Sequence, residues 1–443
     1  MANDWLTATA ADLGRGIAQG QIDPIDLTDA YFDAIDAHDF TPCIYARLTK
    51  DRAHAEAQAA SQRAKQGARL SALDGVPISW KDLFDTAGVA TEAGSALLEG
   101  RVPDTDADVL QKATGAGLVC LGKTHMTELA FSGLGLNPVT ASPPCVNDYD
   151  AASGGSSSGA ATSVAFNLAA AGIGSDTGGS VRIPAAWNDL VGLKTTSERL
   201  PLTGVVPLCA RFDTVGPLTR SVEDAALLLA AMENSPVPDL RASDLSGARL
   251  AVLETIAFDD IEESPASAFD ASVKKLETAG AQIERISFTP LNELTDYLGV
   301  LFASEAYGTW KDVIEAAPEK MFPQVLERFR GGANFDAPMF VAAWQILDRA
   351  RSAWHAQVAG FDAVLIPSCP ILPPNAARLD NEDAYFKRAN LMALRNTRIG
   401  NLLGLCALTL PAGVSSCGIM AMGQPFQEER LLRLGVAIES ALS

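Results

Sequence analysis

Histidine is scarce in this chain. Its 443 residues include four, His38, His54, His125 and His355. No two of them stand four apart with a glutamate beside them, which excludes a zinc site of the His-Glu-x-x-His kind. The seven cysteines, at 43, 120, 145, 209, 369, 406 and 417, are odd in number and form no Cys-x-x-Cys pair. This pattern speaks against a disulfide framework or a zinc knuckle, and for buried thiols in a reducing cytoplasm. Positive charge is also short: 34 Lys and Arg face 54 Asp and Glu, a net charge of −20. A nucleic-acid binder needs a basic patch for phosphates, and an anionic membrane surface needs one too, so neither partner is expected. No apolar run reaches the ~18 residues that would span a bilayer. The opening Met-Ala-Asn-Asp-Trp-Leu lacks the basic-then-apolar pattern of a signal peptide.

What remains is globular composition, with 48% apolar and 20% charged residues. No repeat, low-complexity tract or linker interrupts it, so one domain is expected. Residues 1–70 read as helical. A short buried strand is expected within 73–82 after the Asp74-Gly75 turn, and others at 117–122, 248–254, 363–367 and 408–411. Residues 132–159 read as a long ordered loop, a length that in compact domains usually serves function. Helices are expected at 158–171, 221–235, 264–279 and 428–442, and through 300–358 with a break at Gly331-Gly332. Alternating strands and helices favour an α/β layered sheet.

Two segments carry the chemistry. The first is Gly154-Gly155-Ser156-Ser157-Ser158-Gly159. The second is Gly174-Ser175-Asp176-Thr177-Gly178-Gly179-Ser180, followed by Val181-Arg182-Ile183-Pro184. Glycine-rich loops that open helices offer free backbone N–H groups to an anion, a phosphate or a tetrahedral oxyanion. A phosphate loop of the Walker type needs a Lys before its final Ser or Thr, and neither segment has one. With so little histidine, a Ser–Lys pairing is the favoured route to an activated nucleophile.

These residues resemble the amidase signature family. The family's long motif fits from Gly154 through Ala185, and Leu73 to Asp82 looks like its strand carrying a Lys-Asp pair. Lys81 precedes Ser156 by 75 residues and Ser156 precedes Ser180 by 24, both typical of the family. The likeness continues through Gly122–Glu128, Asp213–Pro217 and Asn401–Leu405, and so spans nearly the whole chain.

The resemblance implies a large twisted mixed sheet with helices on both faces. It also implies a catalytic core over 73–220 and a variable helical pocket cover over 255–360. It implies an amidohydrolase that needs no cofactor or metal and acts on a small-molecule amide; a homodimer is a family-level expectation. Ser180 is the implied nucleophile, Ser156 a bridging serine held by a cis peptide bond, and Lys81 the base, neutral at rest. Lysine serves as a base near neutral pH only when burial or neighbours lower its pKa, and the apolar flank of Lys81 (Val76, Ile78, Trp80, Leu83, Phe84) suits that. Thr177, Gly178, Gly179 and Ser180 would supply oxyanion N–H groups. Ser157, Ser158, Asp176 and Arg182 would support the loops, Asp176 and Arg182 as an internal ion pair. His125 reads as structural and Glu128 as a local hydrogen-bond acceptor.

Phe131, Leu134 and Phe302 are the expected apolar walls. Glutamine-using subunits of tRNA amidotransferases share the family and usually carry an acid about seven positions before Asn401; Leu394 occupies that place here. A stand-alone amidase is therefore favoured over such a subunit, and over a non-catalytic binding protein on the same frame. Arg395 and Arg398 are candidate partners for a substrate carboxylate, with structural duty the alternative.

Overall fold

The strand Pro77–Lys81 is buried at every residue, which its Pro-Ile-Ser-Trp-Lys sequence requires only if both faces are covered. The computed structural model, which describes residues 2–241 and 243–443, places this strand third from one edge of an 11-stranded mixed sheet. In spatial order the sheet runs Tyr45–Leu48, Val119–Thr124, Pro77–Lys81, Ala171–Ser175, Val215–Thr219, Val191–Lys194, Cys406–Pro411, Gly418–Gly423, Ala363–Pro367, Arg249–Leu253 and Gln282–Ile286. Pro77–Lys81 runs parallel to both its neighbours, and so does Arg249–Leu253. The other pairs are antiparallel.

Helices flank the sheet, and one apolar core joins residues as distant in sequence as Leu13, Trp80, Ile173, Phe269 and Leu408. The chain is therefore a single α/β domain. The carboxyl ends of Pro77–Lys81, Val119–Thr124 and Ala171–Ser175 come side by side, the place where ligands bind in sheets of this kind.

Several expectations change. The helix expected over 158–171 ends at Ala165, and Ala171–Ser175 is a strand. Its Ala-Gly-Ile-Gly-Ser sequence carries little local β preference. A Cβ on Gly172 would lie 2.5 Å from the Ala160 carbonyl oxygen, so helix Ser158–Ala165 presses directly on it. Tertiary packing overrides propensity here. The helices expected over 1–70 run from Ala2 to Lys65 with turns between them and the strand Tyr45–Leu48 among them, and the 132–159 loop contains a small hairpin, Pro144–Cys145 with Asp148–Ala152. The 300–358 region is helical and broken near Gly331-Gly332, as expected: Pro323–Arg330 ends there and Ala337–Val358 follows. Among the described residues no helix is long and apolar enough to cross a membrane.

Candidate active site

Alternation along a strand sends successive side chains to opposite faces, and this separates Lys81 from Asp82. Asp82 is an ion-pair partner of Arg47 (3.2 Å) and Lys123 (3.3 Å). Lys81 points the other way and is fully buried. Its Nζ donates to Ser156 Oγ (2.7 Å) and Ser175 Oγ (2.8 Å), and it forms no ion pair among the described residues. Burial drives its pKa from 10.5 down to about 7, against the pull of Asp176 and Asp213, which raise it. A neutral amine at the end of a strand, bonded to two hydroxyls, is a competent proton acceptor near pH 7.

Ser156 follows a cis Gly155–Ser156 peptide bond. The N–H of the next residue, Ser157, donates to the Ser180 carbonyl (3.2 Å), which ties the two serine loops together. In letters, Gly155 to Gly159 is also a Gly-x-Ser-x-Gly run centred on Ser157. Its hydroxyl is occupied, however, donating to the Ser175 carbonyl (3.2 Å) and accepting from the Ser175 N–H (3.3 Å). Gly159 lets helix Ser158–Ala165 close in, since a Cβ there would lie 2.7 Å from the His125 carbonyl oxygen. His125 holds that junction through its backbone, bonded to Ile44 and Gly159.

The second loop is built around Asp176. Both Asp176 and Arg182 are fully buried and pair at 2.9 Å. Arg182 also reaches the Thr397 carbonyl (2.7 Å) and Asn401 Oδ1 (2.6 Å), and Asn401 donates to Asp176 (2.9 Å). Burial alone would raise the Asp176 pKa. The charge and hydrogen bonds of Arg182 outweigh it and hold the carboxyl far below its usual range. The Gly179 N–H donates to Asp176 Oδ1 (2.8 Å), so it faces the carboxylate and not the cleft. This corrects the four-donor expectation. The backbone N–H groups of Thr177, Gly178 and Ser180 have no acceptor among the described residues, and these three residues, without Gly179, line a narrow cleft. Gly179 has φ of +139°, and a Cβ on it would fall 2.1 Å from Thr397 Oγ1.

The cleft, of about 30 Å³, is walled by Phe131, Ser180, Phe302, Leu394, Arg328 and Arg398 among others. It adjoins a wider cavity of about 420 Å³ that shares Phe131, Phe302, Arg328 and Arg398. Phe131 and Phe302 thus stand where expected. Leu134 does not: it is buried in the core and lines neither cavity. Arg395 is also elsewhere. Its guanidinium bonds the backbone carbonyls of Asp259 and Ala257, and it lines neither cavity. Glu128 accepts from Ser95 Oγ (2.7 Å) and, beyond its own neighbourhood, from the Phe322 N–H (2.9 Å). All seven cysteines are free.

Sequence reasoning gave no role to Ser175, Asp213, Thr397, Asn401 or Arg328, though Ser175, Asp213 and Asn401 stood inside quoted segments. Ser175 stood inside the quoted second segment, where strand alternation from Gly174 would have aimed it at Lys81. Asp213 bonds Thr177 Oγ1 and the N–H groups of Leu208 and Cys209. Thr397 caps the Gly178 carbonyl (2.7 Å).

Comparison with known proteins gives the family. The chain is 36% identical to a 2-amino-5-chloromuconic acid deaminase of Comamonas testosteroni over 404 residues, covering 88% of this chain and 87% of that one. It is 31% identical to a glutamyl-tRNA(Gln) amidotransferase subunit of Anaeromyxobacter sp. (strain K), covering 97% and 95%. It superposes on the peptide amidase of Stenotrophomonas maltophilia with a TM-score of 0.82 at 25% identity, covering 98% and 96%. A family model described as Amidase matches residues 26–432. With its sheet, its buried lysine and its two serine loops inside that match, the chain belongs to the amidase family.

Proposed function

We propose that the chain hydrolyses a small linear carboxamide to a carboxylate and ammonia or an amine through an acyl-enzyme on Ser180. The observation that carries this reading is the buried Lys81, bonded to Ser156 Oγ at 2.7 Å beside the Ser180 loop. Ser180 Oγ attacks the amide carbon while its proton passes through Ser156 to Lys81. The carbonyl oxygen becomes an oxyanion at the free N–H groups of Thr177, Gly178 and Ser180. Each such donor is worth on the order of 3 kcal/mol of barrier. The C–N bond then breaks, and Lys81 returns the proton through Ser156 to the leaving nitrogen. Water attacks the Ser180 ester, giving its proton to the same relay, which returns it to Ser180 Oγ as the carboxylate departs. Asp176 and Arg182 hold the loop and take no part in proton transfer.

Ammonia release from a panel of small amides tests this. Wild-type protein should turn over at least one, with Ser180→Ala and Lys81→Met each losing the activity. Turnover that survives Ser180→Ala would end the proposal. The second reading, a glutamine-hydrolysing component of a tRNA amidotransferase, is favoured by the 31% identity to the Anaeromyxobacter protein. Against it, Leu394 lines the cleft where an acid would meet a substrate amino group. Activity that requires both ATP and a second protein component would decide for that reading.

A further inference from the structure

Ten other arginines in the described structure are at least partly buried, and every one has an acceptor. Arg47, Arg52, Arg63, Arg101, Arg182 and Arg199 bond carboxylates. Arg69, Arg220, Arg351 and Arg395 bond backbone carbonyls. Arg328 and Arg398 are the exceptions. Neither guanidinium has a hydrogen bond or an ion pair among the described residues. Each instead lies over an aromatic face, Arg328 at 4.5 Å from the Phe131 ring centre and Arg398 at 5.9 Å from that of Phe302. Arg398 is only 8% exposed. Both line the narrow cleft with Ser180 and the wider cavity behind it. The Arg398 Nε comes within 3.7 Å of where a Cβ on Gly178 would sit, so its charge stands against the loop of free N–H groups.

Two neighbouring unpaired cations, Arg398 buried and Arg328 partly so, are costly unless an anion joins them. Burial lowers the pKa of both, and the charge of Arg398 adds to the effect on Arg328. The other charged residues lining the wider cavity, Lys387 and Glu327, are exposed and pair with each other (3.0 Å). Leu394 in the same cleft brings no charge. The aromatic rings hold each guanidinium by one face and leave its N–H fork for a planar acceptor, the geometry that carboxylates match in bidentate fashion.

Resting on the amidase reading, we infer that Arg328 and Arg398 form an anion subsite for a substrate carboxylate, so that the substrate is an amide of a short dicarboxylic acid. The closeness of Arg398 to the Gly178 loop places that carboxylate a few bonds from the amide carbonyl, where the narrow cleft meets the wider cavity.

The test pairs succinamate and glutaramate with their uncharged counterparts, butyramide and valeramide. In wild-type protein kcat/KM should favour the acid of each pair by about 30-fold or more, the range seen when a buried charge partner is removed, with the difference mainly in KM. Arg398→Met and Arg328→Met should each collapse that ratio toward one, and Arg398→Lys should keep part of it; thermal melts confirm that the variants fold. Equal kcat/KM for acid and neutral amide in wild type, or a common loss for both in the variants, overturns the subsite while leaving an amidase. The same four compounds titrated calorimetrically onto Ser180→Ala protein separate the two claims. Acid-selective binding that disappears on adding Arg398→Met supports the subsite even if wild type hydrolyses none of them, a result that would sink the amidase reading alone. Binding without preference for the acids, or no binding, overturns the subsite.

Discussion

The pH dependence of serine modification follows directly from where Lys81 sits. In water a lysine with pKa 10.5 is neutral in about one molecule in a thousand at pH 7.5; with the pKa lowered to about 7, roughly three quarters are neutral. Burial therefore supplies a base form about 700-fold more abundant, close to 4 kcal/mol of barrier. The second-order rate of Ser180 modification by a fluorophosphonate reads this without any substrate. From pH 5 to 9 the rate should climb tenfold per unit below about 6, bend near 7 and level off by 8. At pH 5 it should be about a hundredth of the plateau. Lys81→Met should remove the limb and most of the rate. Glu128, which burial pushes up to about 7, titrates in the same window but lines neither cavity, so Glu128→Gln should leave the limb in place. A rate still rising tenfold per unit above pH 8.5, or a limb that vanishes in Glu128→Gln, would refute the reasoning.

Three further outcomes are expected. Asp176→Asn leaves Arg182 buried without its counter-charge and should cost about 3–5 kcal/mol, visible as a lower Tm together with lost Ser180 modification. Gly179→Ala puts a methyl 2.1 Å from Thr397 Oγ1 at φ of +139° and should abolish modification while far-UV circular dichroism stays unchanged. Glu128 carries a folded pKa of about 7 against 4.5 unfolded. The folded state then holds the proton more tightly, so the carboxyl's contribution is full below pH 4.5 and is lost as pH rises to 7. Glu128→Gln should gain on wild type by about 3 kcal/mol between pH 5 and 8, read from Tm at each pH; a constant difference would contradict this.

Much of the site was legible because its residues lie in two contiguous Ser/Gly segments and one short strand, which carry the family resemblance that implied their roles. In the fold Lys81 meets Ser156, Asp176 meets Arg182, and the Ser180 carbonyl is tied to Ser157. What the sequence hid is contributed by distant elements that local pattern cannot pair. Thr397 and Asn401 lie on one face of the helix Asp383–Leu402, and Arg328 on the helix Pro323–Arg330; Asn401 opens a segment that resembles the family, but no motif marks Thr397 or Arg328. Arg395 and Arg398 looked equivalent in sequence; three residues along a helix sent one to backbone carbonyls and the other to the cleft. The strand Val215–Thr219 escaped notice because Gly216 and Pro217 argue against an inner strand, yet it sits between two others. A Cβ on Gly216 would meet the Leu193 carbonyl oxygen at 1.9 Å. The strand exists because packing needs that glycine.

The central claim is that Ser180 is a nucleophile switched on by the buried amine of Lys81 through Ser156. Intact-mass analysis after fluorophosphonate treatment at pH 7.5, with peptide mapping, tests it most directly. A single adduct is expected, on Ser180, absent in Ser180→Ala and slowed at least about a hundredfold in Lys81→Met and in Ser156→Ala. An adduct on another serine, or undiminished labelling of Ser180 in folded Lys81→Met protein, would contradict it.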